Sequence, residues 1–151
     1  MSRHFSPSRK AARRPLTREQ LLPLPAARAR ALSLEQHLAL AALRQGHGGV
    51  EQVAMLFRVV YLAYFMGHAA REPVDLALLR EAEAALERFG LDDGSGEGGW
   101  MLDARGCEVI ARVLTVHDRQ LAWLPAFRYA GAWTRIQAFI SGDAQSPLPP
   151  A

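Results

Sequence analysis

The chain of 151 residues is half apolar and 22% charged, with a formal net charge of +3 and a single cysteine. That length supports one domain with its own core, and the apolar share excludes global disorder. Cys107 alone excludes an internal disulfide and a cysteine-built zinc site.

Charge is distributed unevenly. Residues 1–30 hold eight Arg/Lys against Glu19 alone, a net +7, whereas the remaining 121 residues hold ten against fourteen, a net −4. A basic arm on a mildly acidic body is the dominant electrostatic feature. The chain has 17 Arg, one Lys and no Asn, the bias that a GC-rich coding sequence imposes. Arginine richness by itself therefore carries less weight as a sign of bidentate recognition. The first 20 residues are basic but have no apolar core, and Arg13-Arg14 is followed at once by Pro15. Neither a secretory nor a twin-arginine leader is expected, and a cytoplasmic location is.

In chain order, residues 1–15 lack apolar periodicity and read as a flexible basic tail. Thr17 followed by Gln20 fits a capping box opening a short turn of helix, which Pro23 ends. Pro25 suits the first position of a second short helix, 25–32. Ser33 and Gln36 repeat the capping-box spacing and predict a helix over 33–45, with Leu34, Leu38, Ala41 and Ala42 as its apolar stripe and Leu40 and Leu43 flanking. Gly46 stops it, and His47-Gly48-Gly49 is a tight link.

Residues 50–66, VEQVAMLFRVVYLAYFM, are apolar nearly all round and carry Phe57, Tyr61, Tyr64 and Phe65. Such a helix must be covered by other elements. At that length it is short of the roughly 20 apolar residues a bilayer span requires, so no membrane partner is expected. A helix over 74–89 follows, with Val74, Ala77, Leu78, Ala82, Ala85, Leu86 and Phe89 on its buried side. Residues 91–99, LDDGSGEGG, form a flexible linker. Trp100-Met101-Leu102 is expected to dock on the core. Asp103 can cap a helix to Trp123, with Cys107, Ile110, Leu114, Leu121 and Leu124 inward. Pro125 restarts the chain as a last helix, 126–140, burying Tyr129, Trp133, Ile136 and Ile140. Residues 142–151 read as a Pro-rich tail with no core to join. Without period-2 alternation, the fold class is all-α: a single-domain bundle of about five main helices spanning residues 16–141.

Motifs for chemistry are sparse. Gly94 to Gly99 formally fits G-x-G-x-x-G, but no strand precedes it and Asp92, Asp93 and Glu97 would repel a phosphate. It reads as linker. No two histidines stand four apart on a helix, the spacing that shares a metal. His37 and His117 read as hydrogen-bonded packing residues, and Cys107 as core. Cys107 and His117 lie about 15 Å apart along one helix axis, too far for a nucleophilic pair. Neither an enzyme activity nor a cofactor or metal is expected. The pair of helices 33–45 and 50–66 resembles a helix-turn-helix in spacing, but its second helix offers base edges only Glu51, Gln52 and Arg58. A core αα-hairpin fits better.

Residues 15–49, PLTREQLLPLPAARARALSLEQHLALAALRQGHGG, with the following YLAYFM at 61–66, resemble a group of small proteobacterial proteins that carry the name Fis-family transcriptional regulator. The resemblance is one of overall pattern over most of the chain after the tail. It implies a transcription-linked role and assigns no functional residue. Fis-type proteins share a C-terminal reading helix rich in Lys and Arg; here the last helix is rich in Trp and Tyr, with Arg128 and Arg135 its only cations.

The sequence thus predicts a non-enzymatic regulator whose arm (Arg9, Lys10, Arg13, Arg14, Arg18, Arg28 and Arg30) neutralises nucleic-acid phosphates. The alternative is a protein-interaction or dimerisation module without nucleic-acid binding, its surface including Phe57, Tyr61 and Tyr64 or the region of Trp100, Trp123 and Trp133. A third, lesser reading is a small-molecule site at the His47-Gly48-Gly49 corner.

Overall fold

The computed structural model describes residues 13–91, 100–142 and 145–151. Among them are six helices and no strand: α1 (Arg18–Leu21), α2 (Ala26–Arg44), α3 (Val50–Ala70), α4 (Leu76–Leu91), α5 (Ala104–Trp123) and α6 (Ala126–Ile140). The all-α expectation holds. Helices α3 and α5 form the central pair; α2 and α4 each pack against both, and α6 covers a further face of α3 with α1 resting on it.

Helix α3 organises the bundle because its apolar residues fall on more than one face. Val53, Leu56, Val59, Val60 and Ala63 enter a core shared with α2, α4 and α5. Leu62 and Met66 enter a second core with Leu24, Leu121, Tyr129, Ala132 and Ile136. Complete burial of such side chains contributes about 1.5–3 kcal/mol each, so α3 supplies hydrophobic stabilisation to both clusters. It runs past the stop expected at Gly67. That glycine is buried inside the helix, where a Cβ would come within 2.7 Å of Val74 Cγ2. Its missing side chain lets the following segment fold back. The helix ends at Arg71, in the left-handed region at φ 57°, with the Glu72 amide donating to the Gly67 carbonyl. At 21 residues, α3 is long and apolar enough by length and composition to cross a membrane, a criterion the 50–66 reading fell short of. In the structure it is packed by four neighbouring helices.

Four expectations are corrected. The helices read at 25–32 and 33–45 are one helix, α2: Ser33 sits inside it with helical backbone, and Gln36, its expected capping partner, is buried. No Gly or Pro separates the two segments, so the hydrogen-bond ladder continues. The buried face of α2 is Gln36, Ala39, Leu40 and Leu43, whereas Leu34 and Leu38 are 61% and 58% exposed. With leucines on both sides, this helix has little amphipathic bias to choose its inward face. Ile140 is also exposed, since α6 ends there beyond the edge of α3's cover.

The fourth correction concerns the C-terminus. Leu148 is buried in the larger core cluster, so the segment read as a free tail is docked on the bundle. The approach of 100–102 matches expectation: Leu102 is buried, its amide donates to the Leu43 carbonyl at 3.0 Å, and Trp100 stacks on Phe89 at 5.5 Å. Asp103 caps α5 by accepting from the Gly106 amide at 2.6 Å. That hydrogen bond, with the Arg88 guanidinium beside it, holds the Asp103 carboxyl below the usual range.

Candidate interaction surfaces

The basic segment begins with Arg13 and Arg14, both exposed. Thr17 and Gln20 form the expected capping box around α1, the Gln20 side chain accepting from the Thr17 amide at 2.8 Å. Beyond α1, the Leu22 carbonyl accepts the Ala126 amide at 2.7 Å, and Pro23 bridges Pro125. This satisfies an amide at the start of α6 that no intrahelical carbonyl could reach. Leu24 then enters the second core. The segment is thereby pinned across the α5–α6 corner, leaving its cations outside.

Arg18, Arg28 and Arg30 are exposed, as are Arg13 and Arg14. Among the described residues none of these five forms an ion pair; the pairs formed involve Arg88, Arg105, Arg112 and His37. Arg9 and Lys10 lie outside the described residues, as does the Gly94–Gly99 motif. Two residues before Pro125, the indole of Trp123 is 80% exposed, and Leu21 and Leu22, next to Pro23 in the chain, are exposed as well. Of the three tryptophans that the sequence groups as a possible interaction surface, Trp123 is exposed, whereas Trp100 and Trp133 are half-buried.

Phe57, Tyr61 and Tyr64 are half-buried rather than presented to solvent. Tyr61 lies between Phe57 and Phe139, with ring centroids 6.0 and 6.1 Å away, and its hydroxyl donates to Glu83 at 2.8 Å. Burial, then the bond to Glu83, raises the phenol above its ordinary range. Tyr64 stacks on His68. One exposed apolar surface lies on the outer side of α2, where Ala27, Ala31, Leu34 and Leu38 follow one another at spacings of four, three and four. That interval keeps one seam facing a partner helix.

Among the described residues, His117, His37 and Cys107 lie in separate surroundings. His117 is fully buried, donates from Nδ1 to Gln120 Oε1 at 3.3 Å, and has no partner at Nε2. Burial lowers its pKa to about 4, so at neutral pH it is an uncharged packing group. Gln120 passes the connection on, donating to the Ala63 carbonyl of α3 at 2.9 Å. His37, by contrast, is exposed and pairs with Asp118 at 2.9 Å, tying α2 to α5. Cys107 is buried in the core. Among the described residues no cluster of His, Cys, Asp and Glu could hold a metal.

A cleft of about 830 Å³ opens between the 72–75 turn, α4 and the second half of α5, with Arg112 and Arg119 opposite Glu72 and Asp75. Both signs line it, and Arg112 Nη2 stands 4.0 Å from Asp75. His47 is exposed and borders none of the depressions described here. Comparison of the chain with protein-family models, with curated proteins and with solved structures finds no match.

Proposed function

We propose that the protein is a non-enzymatic regulatory protein that contacts nucleic acid through the cationic segment of residues 13–30. The observation that carries this reading is that Arg13, Arg14, Arg18, Arg28 and Arg30 are all exposed, with Glu19 the only acid among them and no ion pair formed by any of the five among the described residues. Unpaired guanidinium groups on one pinned segment can neutralise phosphates without first breaking internal salt bridges. Exposed Trp123 at the same corner offers a stacking face.

Binding of this kind is read out by salt. Each neutralised phosphate contributes about 0.9 to the slope of log affinity against log salt on duplex DNA. Fluorescence anisotropy with a labelled duplex, at several salt concentrations, measures that slope. Replacing the five arginines with glutamine is expected to flatten it and to abolish binding at about 150 mM salt. Unchanged affinity and slope in that variant would remove the segment from the account.

A second reading is self-association through the outer face of α2, supported by the exposed Leu34 and Leu38 on the Ala27-Ala31-Leu34-Leu38 seam. In a parallel pairing along that seam, Arg30 of one copy would stand opposite Glu35 of the other, at the flanking positions that set partner choice. Light scattering of the intact protein distinguishes the two: a strict monomer at high concentration rejects the α2 interface and leaves the nucleic-acid reading untouched.

A further inference from the structure

The docked C-terminal segment is held in a way that points to the surface beneath it. Residues 145–151 form neither helix nor strand. They lie on α3 and α4, which pack against one another directly. Three contacts secure them. Leu148 inserts its side chain into the core between Pro147 and Pro149. Arg80, on α4, donates from Nε and Nη2 to the Pro149 carbonyl at 3.1 and 2.7 Å, and from Nη2 to the Pro150 carbonyl at 2.9 Å. The Ser146 hydroxyl donates to Glu83, the carboxylate that also accepts from Tyr61, and itself accepts the Leu148 amide at 3.1 Å.

These are the terms of peptide recognition. One apolar side chain is read by a socket, one hydroxyl by a carboxylate, and the backbone by a guanidinium fork that is indifferent to side chains. Proline on either side of the leucine keeps the strand extended and low in entropy before it docks. Beyond Pro149 the surface continues as an open depression of about 470 Å³ bordered by Tyr64, His68, Arg71, Glu72, Val74 and Leu76. The segment fills only the near end of the groove.

We propose that the α3–α4 groove is a docking site for an extended partner peptide carrying a leucine between prolines with a serine two residues before it, and that residues 145–151 occupy it in cis as a competitor. One buried leucine and a few hydrogen bonds are set against the ordering entropy of seven residues, so the two terms are of similar size and the closed form can be displaced. The groove is therefore blocked at rest and opened by a partner that fills the unoccupied extension as well. This site is separate from the cationic segment, and neither reading depends on the other.

The test uses the full chain and a fluorescein-labelled peptide of sequence QSPLPPA, titrated by anisotropy. The Leu148→Asp variant, its helix content checked by far-UV circular dichroism, is expected to bind the peptide at least tenfold more tightly than the wild type. Adding Arg80→Ala to Leu148→Asp is expected to weaken binding at least tenfold, and a peptide with Asp in place of its leucine is not expected to bind. Equal binding by the wild type and Leu148→Asp, or no binding by folded Leu148→Asp at 1 mM peptide, overturns the proposal. Amide hydrogen exchange on the unaltered protein gives an independent reading that needs no variant. The Leu148 amide should exchange by local release, far faster than the Val113 amide in the core; equal protection of the two would make the segment an integral part of the fold and overturn the proposal.

Discussion

Acidification from pH 6.5 to 4 should destabilise the fold through one side chain, His117. It is fully buried in α5, bonded only at Nδ1 to Gln120, with Nε2 unpartnered. Burial lowers its pKa from 6.5 to about 4. Above pH 6.5 the imidazole is neutral both folded and unfolded, and the group has no effect on the pH dependence. Between 6.5 and about 4 the unfolded chain takes up a proton that the folded chain refuses, so stability falls as pH falls. The slope approaches about 1.4 kcal/mol per pH unit, and the full interval amounts to about 3 kcal/mol. That is a large fraction of the 5–15 kcal/mol typical of a domain. Asp103 and Glu81, whose carboxyls are held low by the Gly106 amide and by Arg105 respectively, lose their contribution only at still lower pH. Urea unfolding followed by far-UV circular dichroism at half-unit steps from pH 7.5 to 4.5 gives the curve. The same series on His117→Gln, which cannot titrate, isolates the histidine. Wild type should lose about 2 kcal/mol more than the variant between pH 6.5 and 5. Parallel curves would refute the burial argument.

Four further outcomes follow from single contacts. Gly48→Ala would place a Cβ 2.1 Å from Leu43 Cδ2 and 3.2 Å from Leu43 Cα, and should lower unfolding free energy by about 1–3 kcal/mol in urea titration. Arg71→Gly relieves the left-handed backbone at the end of α3 and should raise stability by about 1 kcal/mol, read as a higher Tm. Tyr61→Phe removes a hydroxyl from the buried Glu83 and should cost about 1–2 kcal/mol. Leu34→Glu with Leu38→Glu changes two exposed positions; it should shift stability by no more than about 1 kcal/mol, while any self-association through α2 disappears in light scattering.

The cationic segment was legible because its signal is composition: eight Arg/Lys against Glu19 need no fold to be seen. The capping box at Thr17 and the cap at Asp103 were legible for a related reason, since each is settled within four residues. What escaped were features that one element acquires from another. The docked Leu148 depends on a socket built by helices some 70 residues earlier, and the inward face of α2 on the neighbours that cover it.

The amino-acid sequence alone determined the helical class, the central place of the apolar segment that became α3, and the excess of positive charge near the N-terminus, because periodicity, hydropathy and charge are local quantities. Only the tertiary structure decided which side of α2 faces inward, how far α3 extends, and that Arg80 and Glu83 hold the C-terminal segment. Those depend on competition between surfaces for the same partners, and a helix with leucine on both sides leaves that competition open until the other helices are in place.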